Sequence, residues 1–221
     1  MYHLVGDSTV ADGRPDEQPL VGWGGYLAAY TNRPVRNWAV GGARTETFFA
    51  NGWWADVLRE VSAGDTIVIQ FGHNDQKDPE VLASRGGYTD RLRRMIHDAQ
   101  GAGAAPILCT SVARRHFAGE RVQQTHGDYP NAVRDLAGAE NVPLIDLNVF
   151  TTWLFEDLGP DHSRSLLSNL LPGEYPAWPE GLTDNTHFQE AGARKVAAYV
   201  ALSLRAIERL DGDQPPLGRD R

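Results

Sequence analysis

The sequence predicts an α/β protein, a three-layer α/β/α sandwich built on a five-stranded parallel sheet. Two observations carry this. Five short runs rich in β-branched or apolar residues alternate with helical stretches, and such alternation implies parallel strands joined by right-handed crossovers. Two of those runs, "TIVIQF" and "PILCTSV", are almost continuously apolar, as expected of central strands covered on both faces.

The strands are expected at 2–6, 35–40, 66–71, 106–112 and 142–147, each bounded by turn signals. Helices are expected at 23–30, 54–61, 88–101, 129–139 and 190–210. Leu92, Met95, Ile96 and Ala99 recur at helical spacing, as do Val196, Tyr199, Val200, Leu204 and Ile207. Two connections, 114–127 and about 159–184, are long and irregular, which in a compact domain suggests binding loops. No linker or internal repeat interrupts the pattern, so 1–210 reads as one domain and 211–221 as a frayed tail.

A chain of 221 residues is long enough for one well-cored domain. Twenty-nine acidic residues against 21 Lys and Arg leave a net charge of -8, which argues against a nucleic-acid partner. The single cysteine, Cys109, sits in an apolar run and excludes an internal disulfide framework. No apolar stretch has the length of a membrane span, so no membrane partner is expected. The first strand begins almost at Met1, so no signal peptide is read and a cytoplasmic location is expected; a removed leader would make the protein secreted. Nothing indicates the oligomeric state.

Polar clusters recur where the strands end: Gly6-Asp7-Ser8-Thr9, Gly41-Gly42-Ala43-Arg44, Gly72-His73-Asn74-Asp75, and Asp184-Asn185-Thr186-His187 before the last helix. Loops at one edge of a parallel sheet converge, so these distant residues can share a cleft. Ser8 fits two roles, a nucleophile or the cap of a following helix. A serine nucleophile needs a base held in one tautomer, and Asp184 and His187, three apart, would stand on one side of a helical turn. Gly42 as a backbone donor, Asn74 as an amide donor and the Ser8 amide would receive an oxyanion. Each also has a plainer reading: a tight turn for Gly41-Gly42, a loop brace for Asn74, a capped surface histidine for His187. Together the plainer readings require four coincidences at one edge.

"GDST", "NWAVGG", "FGHND" and "DNTHF" resemble blocks I, II, III and V of the SGNH hydrolases, also called the GDSL family. Ser8, Gly42, Asn74 and His187 match the four residues that name the family, with Asp184 as triad acid. "GWGGYLAAY", "VIQFGHNDQKD", "GGYTDRLRRMI", "ILCTSVARRHF", "GDYPNAVRDLA" and "VPLIDLN" resemble its rhamnogalacturonan acetylesterase branch. The resemblance implies a flavodoxin-like fold and a serine esterase that deacetylates pectic or related sugars, as polysaccharide or oligosaccharide, without metal or cofactor. One departure concerns the second block. The branch's Gly-Gly-Arg-Ser order becomes Gly41-Gly42-Ala43-Arg44, which displaces Arg44 by one position.

The candidates for substrate contact are Arg44, His73, Arg114, Arg115 and Trp178. Trp178 would be a sugar platform and the Arg114-Arg115 pair a partner for an anionic sugar, although both arginines fit surface ion pairs equally. His73 and Asp75 also fit as loop braces, while Trp53, Trp54 and Trp153 fit packing positions. Three other functions are weighed. A lipid or thioester hydrolase would need an apolar trough, whereas the long loops are polar and aromatic. A metal-dependent phosphoesterase could draw ligands from Asp7, His73, Asn74, Asp184 and His187, but lacks a histidine two residues after Asp7. A non-catalytic carbohydrate-binding protein is disfavoured because all the presumed catalytic residues are present.

Overall fold

The computed structural model describes residues 1–210 in full and the backbone of 211 and 212. The rest of the expected tail at 211–221 lies outside the described residues. In chain order the elements are β1 (Tyr2–Gly6), α1 (Gly24–Leu27), β2 (Val35–Asn37), α2 (Thr45–Ala50), α3 (Trp53–Glu60), β3 (Thr66–Gln70), α4 (Thr89–Gly101) and β4 (Ala105–Cys109). There follow β5 (Phe117–Ala118), β6 (Arg121–Val122), α5 (Tyr129–Ala139), β7 (Leu144–Ile145), α6 (Leu147–His162), β8 (Leu167–Leu170), β9 (Leu182–Phe188) and α7 (Glu190–Gly212).

The main sheet has the order β2-β1-β3-β4-β7, and every neighbouring pair is parallel. Side chains alternate across it. Leu4, Val68, Ile107 and Cys109 face a core completed by Leu154 and Phe155 of α6 and Val196, Val200 and Leu204 of α7. Val5, Ile67, Ile69 and Leu108 face the opposite core, with Phe48, Trp54, Leu92, Met95, Ile96 and Val133. The unbroken apolarity of the central strands thus serves two cores, each buried side chain stabilising by about 1.5–3 kcal/mol.

The chain leaves β1 towards β2 and then crosses back to β3 on the other side of β1. That reversal opens a crevice at the carboxyl ends of β1 and β3, where doubly wound sheets bind ligands. All five expected strands form, with different ends. β2 stops at Asn37, but the Trp38 and Val40 amides still donate to Leu4 and Gly6 carbonyls at 2.8 and 3.1 Å.

Two segments differ from the sequence expectation. Residues 147–162 form a helix, α6, broken by a kink at Gly159 (φ 71°) before Pro160, and its cap Asp146 accepts the Val149 amide at 3.2 Å. Its apolar residues wrap around the axis, with Val149 and Trp153 facing solvent, so no clean stripe marks it in the sequence. The expected loop 159–184 carries β8, which pairs antiparallel with β9 in a small separate sheet.

Candidate active site

No regular helix follows β1. The Val10 and Ala11 amides both donate to the Asp7 carbonyl at 3.0 Å, and α1 starts only at Gly24. Ser8 therefore sits on an isolated turn and caps no helix. Asp7 Oδ1 fixes that turn by accepting from the Thr9 amide at 2.9 Å and the Thr9 hydroxyl at 2.8 Å. Gln70 at the end of β3 donates to Thr9 Oγ1 at 2.5 Å and accepts the Trp23 indole N–H at 2.8 Å. This buried chain couples the serine turn to the central strand.

Ser8 Oγ lies 2.9 Å from His187 Nε2, and His187 Nδ1 lies 2.6 Å from Asp184 Oδ2. The other carboxylate oxygen, Asp184 Oδ1, accepts the Thr186 and His187 amides at 2.7 and 2.9 Å. An ionised Asp184 only accepts, so Nδ1 carries the ring proton and Nε2 is free to accept from Ser8. Burial pushes His187 downward, but the Asp184 hydrogen bond and charge, with the Asp7 and Glu17 charges, outweigh it and raise its pKa. For Asp184 burial acts upward, yet the His187 hydrogen bond and charge and the backbone amides prevail and lower it.

The helical turn expected for Asp184 and His187 is not what forms. Both lie in β9, where Leu167 faces Phe188 and Asn169 faces Thr183. Five steps on β9 oppose two on β8, so three residues bulge outward. The bulge folds the Asp184 side chain back onto His187 without a helix. Phe188, fully buried directly after the histidine, anchors the strand in the core.

Gly42 is the third residue of a turn closed by the Ala43 amide on the Val40 carbonyl at 3.1 Å. Its φ of 76° is left-handed, as a type II turn requires there. A Cβ on Gly42 would meet nothing within 4 Å, so backbone conformation rather than space calls for glycine. Gly72 is different: at φ 132° an added Cβ would lie 2.3 Å from Ser111 Oγ. Asn74 Nδ2 donates to the Ala43 carbonyl at 3.1 Å, and its Oδ1 accepts from Lys77 Nζ at 2.8 Å. Asp75 ties the second and third loops together, taking the Thr45 amide and hydroxyl at 2.8 and 2.6 Å and the Gly72 amide at 3.1 Å. Among the described residues no protein acceptor engages the Ser8 or Gly42 amide.

Ser8, Gly42, Asn74 and His187 open into one cleft of about 370 Å³, with Trp178 on its wall. Trp178 donates its indole N–H to the Gln18 carbonyl at 3.1 Å, which pins the facing segment. The chain matches the sequence profile of the GDSL-like Lipase/Acylhydrolase family over residues 4–195. It belongs to that family. It is 41% identical over 207 residues to rhamnogalacturonan acetylesterase RhgT of Bacillus subtilis (strain 168), an alignment covering 92% of this chain and 89% of that protein. A second B. subtilis protein, the probable rhamnogalacturonan acetylesterase YesY, is 30% identical over 93% of this chain and 92% of its own. The crystal structure of YxiM from B. subtilis superposes with a TM-score of 0.80 at 28% identity, covering 94% of this chain and 56% of that one. A catalytic mutant of Axe2, an acetylxylan esterase of Geobacillus stearothermophilus, shares the fold at TM-score 0.66 and 17% identity, over 92% of this chain and 93% of that one.

Four expected substrate contacts of this family member do not line the cleft. Arg44 is spent on Asp78 at 2.8 Å and Glu46 at 3.1 Å, since its one-residue displacement sets it at the start of α2. Arg114 donates to the Thr125 hydroxyl and the His73 carbonyl, both at 3.2 Å. Arg115 donates to Asn185 Oδ1 at 2.9 Å, Ser163 Oγ at 3.0 Å and the Pro160 carbonyl, clamping the β9 bulge. His73 is buried with its ring edge-on to His126, centroids 4.4 Å apart, and its Nδ1 stands 3.9 Å from Asp7 Oδ2. Burial, reinforced by nearby positive charge, pushes His73 well below the usual histidine value. Among the described residues no three His, Cys, Asp or Glu side chains gather as a metal ion would need.

No motif marks the other cleft wall, Asp12, Arg14, Glu17, Leu20 and Val21, nor Lys77 beside Asn74. The available signal is a long charged, proline-containing connection directly after the Ser8 turn. His126, in the long loop before α5, carries no signal at all.

Proposed function

We propose that this chain is a serine esterase that removes O-acetyl groups from acetylated carbohydrate, of the rhamnogalacturonan kind or a related plant polysaccharide. The carrying observation is the unbroken Ser8–His187–Asp184 relay at 2.9 and 2.6 Å opening onto the same cleft as Gly42 and Asn74. The 41% identity to a rhamnogalacturonan acetylesterase supports the choice of substrate. So does the cleft wall, where Asp12, Arg14, Glu17, Lys77 and Trp178 offer hydroxyl groups hydrogen bonds and a flat aromatic surface. An acyl chain would meet Ala11, Leu20, Val21 and Trp178 as the apolar part of a wall that also carries the charged Asp12, Arg14, Glu17 and Lys77.

In the first half-reaction His187 Nε2 takes the Ser8 proton as Oγ attacks the acetyl carbonyl. Negative charge develops on the carbonyl oxygen and is received by the Ser8 and Gly42 amides and Asn74 Nδ2. His187, now cationic and held by Asp184, gives the proton to the sugar oxygen as the acetyl C–O bond breaks, so the sugar leaves as a neutral hydroxyl. Water then repeats the sequence on the acetyl-serine and releases acetate.

Acetate release from acetylated rhamnogalacturonan, acetylxylan and acetylated oligosaccharides tests this reading. Release from one or more of them is expected. Cleavage of acyl thioesters with no release from any carbohydrate would overturn it.

A further inference from the structure

Along the same edge of the sheet as the cleft, α5 and α6 enclose a second groove of about 400 Å³. The two sites are well separated. β1 and β7 stand three strand spacings apart, roughly 15 Å at ~4.8 Å per step. The loop before α5 runs between them, with His126 buried against His73 on the cleft side and Gln124 and Gly127 lining the groove.

The groove joins an aromatic platform to neutral amides. Trp153 is 56% exposed and Val149, one turn before it, 58% exposed, although the opposite side of α6 is core. Beside Trp153, Phe150 stacks flat on Tyr199 with centroids 3.9 Å apart, so the Trp153 surface rests on a rigid base. Asn148 also lines the groove. It is only 3% exposed, and its Nδ2 has no hydrogen-bond partner among the described residues. A buried amide nitrogen without an acceptor is unfavourable until a partner oxygen reaches it. Gln124 and Asn131 complete the amide set.

The charges in the groove are already committed. Arg134 holds Asp146 through two bonds of 2.7 and 3.0 Å. Glu156 takes Arg121 and the Val122 amide, each at 3.0 Å. An ionic ligand finds no free counter-charge, whereas a neutral, hydroxyl-rich ring finds a flat indole for its C–H face and planar amides for its hydroxyls.

We infer that this groove is a second carbohydrate-binding site, which holds a neutral pyranose of the polysaccharide chain away from the cleft. The inference rests on the carbohydrate reading of the active site and assigns the contact that keeps a polymer on the enzyme surface. Affinity electrophoresis in gels containing non-acetylated xylan, galactan or polygalacturonate reads it without any ester cleavage. Retardation by a neutral polymer is expected for the unaltered protein. Trp153→Ala should weaken it roughly tenfold, and Trp153→Tyr should restore most of it. An unchanged melting temperature serves as the control for folding. Equal retardation of the Trp153→Ala and unaltered proteins, no retardation by either neutral polymer, or retardation by polygalacturonate alone would overturn it. Because these gels contain no acetyl ester, failure of the esterase reading would appear only in the acetate assay.

Discussion

Asp184 holds His187 twice with one carboxylate: Oδ2 accepts the ring Nδ1–H at 2.6 Å, and Oδ1 accepts the backbone N–H of the same residue at 2.9 Å. The acid thus fixes both the tautomer of the base and the backbone from which it projects.

Asp184→Asn keeps the shape but offers an amide where a carboxylate accepted. Turnover of p-nitrophenyl acetate should fall by roughly 10³- to 10⁴-fold, the scale of a triad with its tautomer lost. The pH profile gives a second reading. His187 must be neutral to accept the Ser8 proton and its pKa is raised, so activity should fall as pH drops, with the midpoint above the ordinary histidine value. Removing the Asp184 charge should move that limb to lower pH.

Asn74 and Lys77 separate a donor from its brace. Asn74→Ala should cost roughly 10²- to 10³-fold in kcat. Lys77→Met removes an exposed hydrogen bond to Asn74 Oδ1 and one polar group of the cleft wall, so a rise in KM with a kcat loss of no more than about fivefold is expected. Comparable losses in the two variants would assign Lys77 a direct part in the reaction.

Gly42→Ala tests the turn. With φ at 76° and open space around the position, the cost is conformational, about 1–2 kcal/mol in denaturant unfolding.

Arg115→Ala distinguishes a clamp from a substrate contact. Loss of the Asn185, Ser163 and Pro160 bonds should lower kcat and melting temperature together while KM on the acetylated sugar stays near its original value. A rise in KM alone would return Arg115 to the substrate.

Asp7 is fully buried, and burial, opposed by the Thr9 hydrogen bonds, pushes its pKa up to about 6. A raised folded-state value means that Asp7 favours folding below the ordinary carboxylate range and loses that contribution as pH rises through about 6. Asp7→Asn keeps the Oδ1 acceptor and removes the charge. Its stability relative to the unaltered protein should therefore increase from pH 4 to pH 7, by at most about 3 kcal/mol, in paired urea unfolding curves.

Much of this architecture was legible in the residues. The central strand β3 announces itself because the two cores demand apolar side chains at Ile67, Val68 and Ile69 in succession. The spacing of Asp184 and His187 signals proximity, but a helical turn and a strand bulge both bring residues three apart together. Only the pairing with β8 decides between them. α6 escapes a periodicity reading because Val149 and Trp153 break its polar face. Arg115 reads equally as a partner for an anionic sugar or for a surface acid, since Pro160, Ser163 and Asn185 meet it only through the fold.

The measurement that bears most directly on the central claim is turnover by the Ser8→Ala protein on acetylated rhamnogalacturonan, with circular dichroism as the control for folding. The expected result is an unchanged spectrum and no detectable acetate release. Acetate release at the rate of the unaltered protein would contradict the assignment of Ser8 as nucleophile.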